Sequence, residues 1–195
     1  QVANKLKQIR DMNLDIDMIA PAHGVIWRSY IPELLQAYEE FATFQSVDKA
    51  VIVYESVWKH TQMMAEALAE GMGRNGVCVK IFKCSMTSPA IIQKELLDAK
   101  AILVGSGNYN NAMSGSIAAF LEKLISCKVK NKKGLGFGSY GWANLVTKEI
   151  NARLVKAGIT LLNDEVVSQN YTPSEEDLDA LMELGKQIAE EIKAM

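Results

Sequence analysis

Few cysteines and fewer histidines limit the chemistry that this chain of 195 residues can carry. Its three cysteines, Cys78, Cys84 and Cys127, form no CxxC pair, so neither a disulfide framework nor a cysteine metal site is indicated. They read instead as small buried hydrophobes. The two histidines, His23 and His60, stand far apart with no H-x-E-x-D-H cluster, and metal chemistry needs several ligands held together. No apolar run approaches the ~18 residues of a membrane span, and the opening QVANKLKQIR lacks the apolar stretch of a signal peptide. The expectation is a cytoplasmic protein with no membrane partner. Charge of one sign is also missing: 21 Lys+Arg stand against 23 Asp+Glu, for a net charge of −2, which argues against a nucleic-acid partner. At 49% hydrophobic and 23% charged, the chain is neither disordered nor rod-like and can bury one full core. It opens on Gln1 in a helical pattern, which points to a piece of something longer.

From about residue 49 onward, β and α patterns alternate. The β-branched run Ala50 to Tyr54 is followed by a helix over 61–74 with Met64, Leu68 and Met72 on one face and Gly76 as its stop. Val77 to Phe82 is a second strand. Ser88-Pro89 then opens a helix as cap and first helical residue. Ala101 to Gly105 is a third strand, and Ile117, Phe120, Leu121 and Leu124 mark the next helix. Leu135 to Gly138 is a fourth strand, followed by a helix carrying Val146, Ile150 and Leu154 that stops at Gly158. A fifth strand is expected within Ile159 to Val167. Thr172-Pro173-Ser174-Glu175 has capping-box order and opens the last helix. Short apolar strands alternating with amphipathic helices predict a three-layer, doubly wound α/β domain around a five-stranded parallel sheet, with ligands at the carboxyl ends of the strands. That domain needs only residues 49–195. Residues 1–48 read as a helix (Val2 to Met12), a short strand (Ile16 to Ala20), a Pro-Ala-His-Gly turn and a helix from Pro32, too little to bury itself.

Three loops at one sheet edge carry the chemistry. Ser56-Val57-Trp58-Lys59-His60-Thr61 runs straight into a helix N-terminus, where unpaired N–H groups, two hydroxyls and the helix dipole suit a phosphate. An ordinary capped turn would look similar. Ser106-Gly107-Asn108-Tyr109-Asn110-Asn111 follows the third strand and is polar enough either to hold a flat heterocycle or to be a mobile solvent loop. Ser139-Tyr140-Gly141-Trp142-Ala143 follows the fourth. Gly136, Gly138 and Gly141 formally spell G-x-G-x-x-G, but late in the chain and after a basic turn, so they do not read as a nicotinamide site.

These loops resemble the flavin mononucleotide (FMN) loops of flavodoxins. The resemblance implies sheet order 2-1-3-4-5, Ser56 to Thr61 around the phosphate, and the other two loops framing the ring. One departure stands out: Trp58-Lys59-His60 occupies the place where flavodoxins usually carry Thr-Gly before the last threonine. The segment Pro21-Ala22-His23-Gly24-Val25-Ile26-Trp27-Arg28 is similar to the end of the metallo-β-lactamase-like domain of flavodiiron proteins, in which a flavodoxin-like domain follows directly. That resemblance covers the whole chain and implies that His23 is one ligand of a di-iron centre complete only in an intact parent. It further implies electron relay from a rubredoxin-like donor or a reductase to that centre for oxygen or nitric oxide reduction, and a head-to-tail homodimer. The alternatives are an NAD(P)H-dependent quinone or nitro reductase of the same fold and a receiver-like binding module. The latter needs an aspartate where the third strand ends Leu103-Val104-Gly105. The turn Lys128 to Lys133 is either a solvated surface or a dock for an acidic electron donor.

Overall fold

A computed structural model describes residues 2–163 and 165–195. The chain divides into two units, Gln1–Gln45 and Ser46–Met195. In the second, β1 (Val47–Glu55) begins two residues before the expected start at 49 and is flanked by β2 (Cys78–Lys83) and β3 (Ala99–Ser106), both parallel to it. β4 (Lys133–Tyr140) adds to β3, giving the order β2-β1-β3-β4-β5. Ala50 to Val53 are fully buried, which is why this strand is apolar without alternation. Its two faces feed separate cores. Ala50 and Ile52 pack with Leu68 and Met72 of α3 (His60–Arg74) and with Leu181 and Ile188 of α7 (Glu175–Lys193). Val51 and Val53 pack with residues of α4 (Pro89–Leu96), α5 (Gly115–Cys127) and α6 (Val146–Lys156).

The glycine stops behave as expected. Gly76 and Gly158 lie at φ +82° and +86°, and at each the backbone N–H of the following residue reaches back to the carbonyl four residues before the glycine: Val77 to Met72 and Ile159 to Leu154. Other expectations are corrected. The fifth strand is two pieces, β5 (Thr160–Leu161) beside Lys133 and Gly134, and β6 (Val167–Asn170) beside Phe137 to Tyr140. The break leaves the Gly136 N–H without a ladder partner, and the buried side chain of Asn151 accepts it at 2.7 Å. The capping box of α7 sits two residues later than expected: Ser174 is the cap and Asp177 the reciprocal carboxylate. Ser88 occupies the cap position of α4, but its side chain accepts no capping hydrogen bond. Cys78 and Cys127 are exposed, so neither fills the core, while Cys84 is half-buried and packs against its edge.

The first unit holds α1 (Val2–Asp11) and α2 (Ile31–Ala42), and neither contributes a buried residue. The strand expected over Ile16 to Ala20 is reduced to one antiparallel bridge, Ile19 with Trp27, because no neighbouring strand extends it. Among the described residues no helix is long and apolar enough to cross a membrane.

At the amino end of β4, Lys132 is a buried cation with no carboxylate in ion-pair range among the described residues. Its Nζ donates to the carbonyls of Ala99 at 2.6 Å and Leu97 at 3.2 Å. Burial pushes its pKa down from 10.5 to about 8, Asp98 opposing the shift and Lys49 adding to it. Between those two values the unfolded chain keeps a proton that the folded chain releases, so stability rises with pH across the window and the penalty is fully present below about 8. The stability difference between wild type and Lys132→Met should therefore shift toward wild type by about 2–3 kcal/mol from pH 7.5 to 10.5 in urea melts. A flat difference would contradict the assignment.

Candidate flavin site

The carboxyl ends of β1, β3, β4 and β6 meet at one cleft. The segment after β1 builds its floor. Ser56 and Thr61 are buried, while Val57 and Trp58 are exposed, Trp58 to 80%. Lys59 is the residue before α3 and lies at φ +68°, in the left-handed region. For a residue with a side chain that conformation costs about 1 kcal/mol. That geometry leaves the N–H groups of residues 58 to 62 without backbone acceptors among the described residues, and no side chain caps the helix. The donors therefore gather at the positive end of α3 beside two hydroxyls, as an anion requires.

Beneath this segment Glu55 is buried. Burial would raise its pKa, but Ser85 N–H at 2.9 Å, Ser116 Oγ at 3.1 Å and Ser56 N–H at 3.2 Å together hold it below the usual carboxylate range. The carboxylate ties the end of β1 to the 84–86 turn and to the start of α5.

Loop two closes on itself. Ser106 Oγ donates to the Gly107 carbonyl at 2.8 Å and accepts the Ser114 N–H at 3.0 Å. Tyr109 and Ala112 exchange backbone hydrogen bonds of 2.8 and 3.0 Å around Asn110 and Asn111, at φ +50° and +64°. Two consecutive left-handed residues at the tip of such a pair are the mark of a type I′ turn, so these asparagines serve the backbone and sit outside the main cleft. They border a neighbouring recess with Trp142, which is 91% exposed. Tyr109 is half-buried in the cleft wall; burial first, then the Glu55 charge, raises its phenol pKa against a hydrogen bond from the Val57 backbone.

Ser139 joins the loops: its hydroxyl lies 3.0 Å from that of Thr61, and its carbonyl accepts the Asn108 N–H at 3.0 Å. Asn108 Nδ2 donates to the Ala143 carbonyl, while Asn108 Oδ1 is buried with no partner among the described residues. Tyr140 and Gly141 line the cleft beside Tyr171. Tyr171 escapes sequence reasoning because its segment looks like a plain helix lead-in, and only the sheet register brings it opposite Tyr140 and Gly141. His60 Nε2 lies 3.0 Å from Thr172 Oγ1 of the same segment.

Residues 52–185 match the flavodoxin family model. The chain belongs to the flavodoxin family. It is 40% identical over 191 residues to a nitric oxide reductase of Moorella thermoacetica, covering 98% of this chain and 48% of that protein. It is 32% identical over 190 residues to the anaerobic nitric oxide reductase flavorubredoxin of Escherichia coli O1:K1, covering 96% and 39%. The rubredoxin oxygen:oxidoreductase of Desulfovibrio gigas superposes on 99% of this chain and 48% of its own with TM-score 0.91 and 30% identity. The match to these proteins thus runs over nearly the whole chain, yet the chain spans only about half the length of the relatives.

Flavodoxin membership implies FMN, and the donor set fits it. Unpaired N–H groups and buried hydroxyls suit a phosphate, and the orphaned Asn108 Oδ1 is an acceptor awaiting a donor. His23 is exposed on the turn between Ile19 and Trp27, and the described residues hold no group of three or more His, Cys, Asp or Glu able to bind a metal. The glycines of the formal G-x-G-x-x-G serve packing in this flavodoxin fold. A Cβ on Gly136 would meet Asn151 Oδ1 at 2.5 Å, and one on Gly138 would meet the Ser106 carbonyl at 2.1 Å. The turn Lys128 to Lys133 lies at the amino end of β4, roughly 25 Å along an eight-residue strand from the cleft.

Proposed function

We propose that the flavodoxin unit binds FMN and serves as the electron relay of a longer flavodiiron oxidoreductase that reduces oxygen or nitric oxide. The observation that carries this is the cluster of unpaired N–H groups over residues 58–62 beside buried Ser56 and Thr61, under loops tied together through Ser139. When bound, FMN supplies transfer of one or two electrons. The chain's own residues bind and orient it. Ser56, Thr61 and the first turn of α3 hold the phosphate; Asn108, Tyr109, Tyr140 and Gly141 bound the space for the ring; Trp58 covers the rim.

On the same reading, the unit Gln1–Gln45 is the end of a metallo-β-lactamase-like domain, with His23 one ligand of a di-iron centre whose remaining ligands lie outside this chain. A rubredoxin-like protein or a reductase delivers the electrons, and a head-to-tail homodimer brings each flavin near the partner's iron. The similarity to the Moorella and Desulfovibrio proteins over nearly the full chain supports these assignments. The test is anaerobic stopped-flow reduction of the FMN-loaded chain. Rapid bleaching by reduced rubredoxin and slow bleaching by NADH or NADPH is expected. Rapid bleaching by the nicotinamides alone would favour the quinone or nitro reductase alternative and overturn the relay.

A further inference from the structure

The segment Asn170 to Thr172 belongs to none of the three loops that the sequence points to, yet it is fixed against two of them. On the side of the β4 loop, the Tyr171 N–H donates to the Tyr140 carbonyl at 2.8 Å, and Asn170 Nδ2 donates to the Gly141 carbonyl. The Tyr171 ring lies over Gly141 and lines the cleft. On the phosphate side, Thr172 Oγ1 sits 3.0 Å from His60 Nε2, and His60 is the first residue of α3 and also lines the cleft. Tyr171 holds φ +57°, a conformation that a residue with a large side chain keeps only where its surroundings impose it. The imposing groups are the β6 ladder before it and, after it, buried Pro173 and the Ser174 cap of α7. The segment is therefore short and held at both ends.

We infer that Asn170 to Thr172 is a fourth segment of the ligand site, a strap in which Thr172 positions the His60 imidazole at the phosphate end of the cleft and so favours a phosphorylated flavin over an unphosphorylated one. This rests on the FMN reading above. Thr172 acts through His60 and is a positioning residue. His60 Nε2 either accepts the threonine O–H or donates its own N–H; either way the hydrogen bond holds the ring.

The experiment is a fluorescence-quenching titration of the chain with FMN and with riboflavin, which lacks the phosphate. It compares wild type with Thr172→Val, Thr172→Ser, His60→Ala and the His60→Ala/Thr172→Val double variant. Thr172→Val should weaken FMN about fivefold while leaving riboflavin unchanged, the size of one lost hydrogen bond. Thr172→Ser should restore wild-type binding. The double variant should bind FMN no more weakly than His60→Ala, since both changes remove the same contact. A merely structural role would weaken both flavins alike, and that result, or no effect on either, would overturn the strap while leaving the FMN reading standing. A wild-type chain that takes up neither flavin would overturn the FMN reading itself.

Discussion

Replacing Gly185 with leucine is expected to destabilise the flavodoxin unit by about 4 kcal/mol or more, because α3 and α7 cross where two glycines face one another. A Cβ on Gly185 would stand 2.4 Å from the Leu68 carbonyl oxygen and 3.1 Å from the Gly71 Cα, and one on Gly71 would stand 2.0 Å from the Met182 carbonyl. The obstructing atoms are backbone, so the helices themselves must separate, and with them the core that joins Leu68 and Met72 to Leu181 and Ile188. Over-packing of a well-filled core costs about 1–3 kcal/mol even when only side chains must yield. Gly73 supplies the contrast: it lies in the same helix as Gly71, and a Cβ there would meet nothing within 4 Å. Gly73→Ala should therefore stabilise by roughly 0.5–1 kcal/mol, because alanine loses less backbone freedom on folding. Urea melts of both variants check the pair, and similar losses in the two would contradict the account of the helix crossing.

The second large effect concerns the ligand. Ser56→Ala combined with Thr61→Val should weaken FMN on the order of 100-fold, since two hydroxyl groups directed at a phosphate contribute charge-assisted hydrogen bonds. Riboflavin binding should change about threefold at most, because it offers those hydroxyls no phosphate. Both residues are buried, and the Thr61 hydroxyl also meets that of Ser139, so thermal melts of the unliganded variants are needed alongside. Equal weakening of the two flavins would place the effect in loop structure. Unequal weakening in the predicted direction places it in phosphate recognition.

How much of this was legible in the sequence follows from what each signal depends on. The β and α alternation, the burial of Ala50 to Val53 on both faces and the glycine stops at 76 and 158 depend on local pattern, and they stand in the structure as expected. The strand order 2-1-3-4-5 came from the family resemblance and also stands. What local pattern could not supply is whatever depends on a neighbour distant in the chain. The cap of α7 shifted to Ser174 because Asp177 stands three residues after it and completes the reciprocal pair, whereas Thr172 is turned to His60. The break in the fifth strand is made tolerable by Asn151, a residue of another helix. Composition made the cysteines look like core, but Cys78 and Cys127 fall on exposed positions of their elements.

The candidate site divides the same way. The segment Ser56 to Thr61 drew notice for its hydroxyls between a strand and a helix, a pattern that an ordinary capped turn shares, and the structure adds that Lys59 holds a left-handed backbone there. Asn110 and Asn111 drew notice for their polarity, yet their positive φ values give them a turn to make. Tyr171 carried no signal, since its place in the cleft comes from the pairing of β6 with β4.

The most direct test of the central claim is the absorbance spectrum of the purified protein, taken before and after incubation with FMN, followed by acid release and mass identification of the chromophore. The account predicts a flavin spectrum and about one FMN per chain. A protein that carries no flavin and takes up none when it is offered would contradict it.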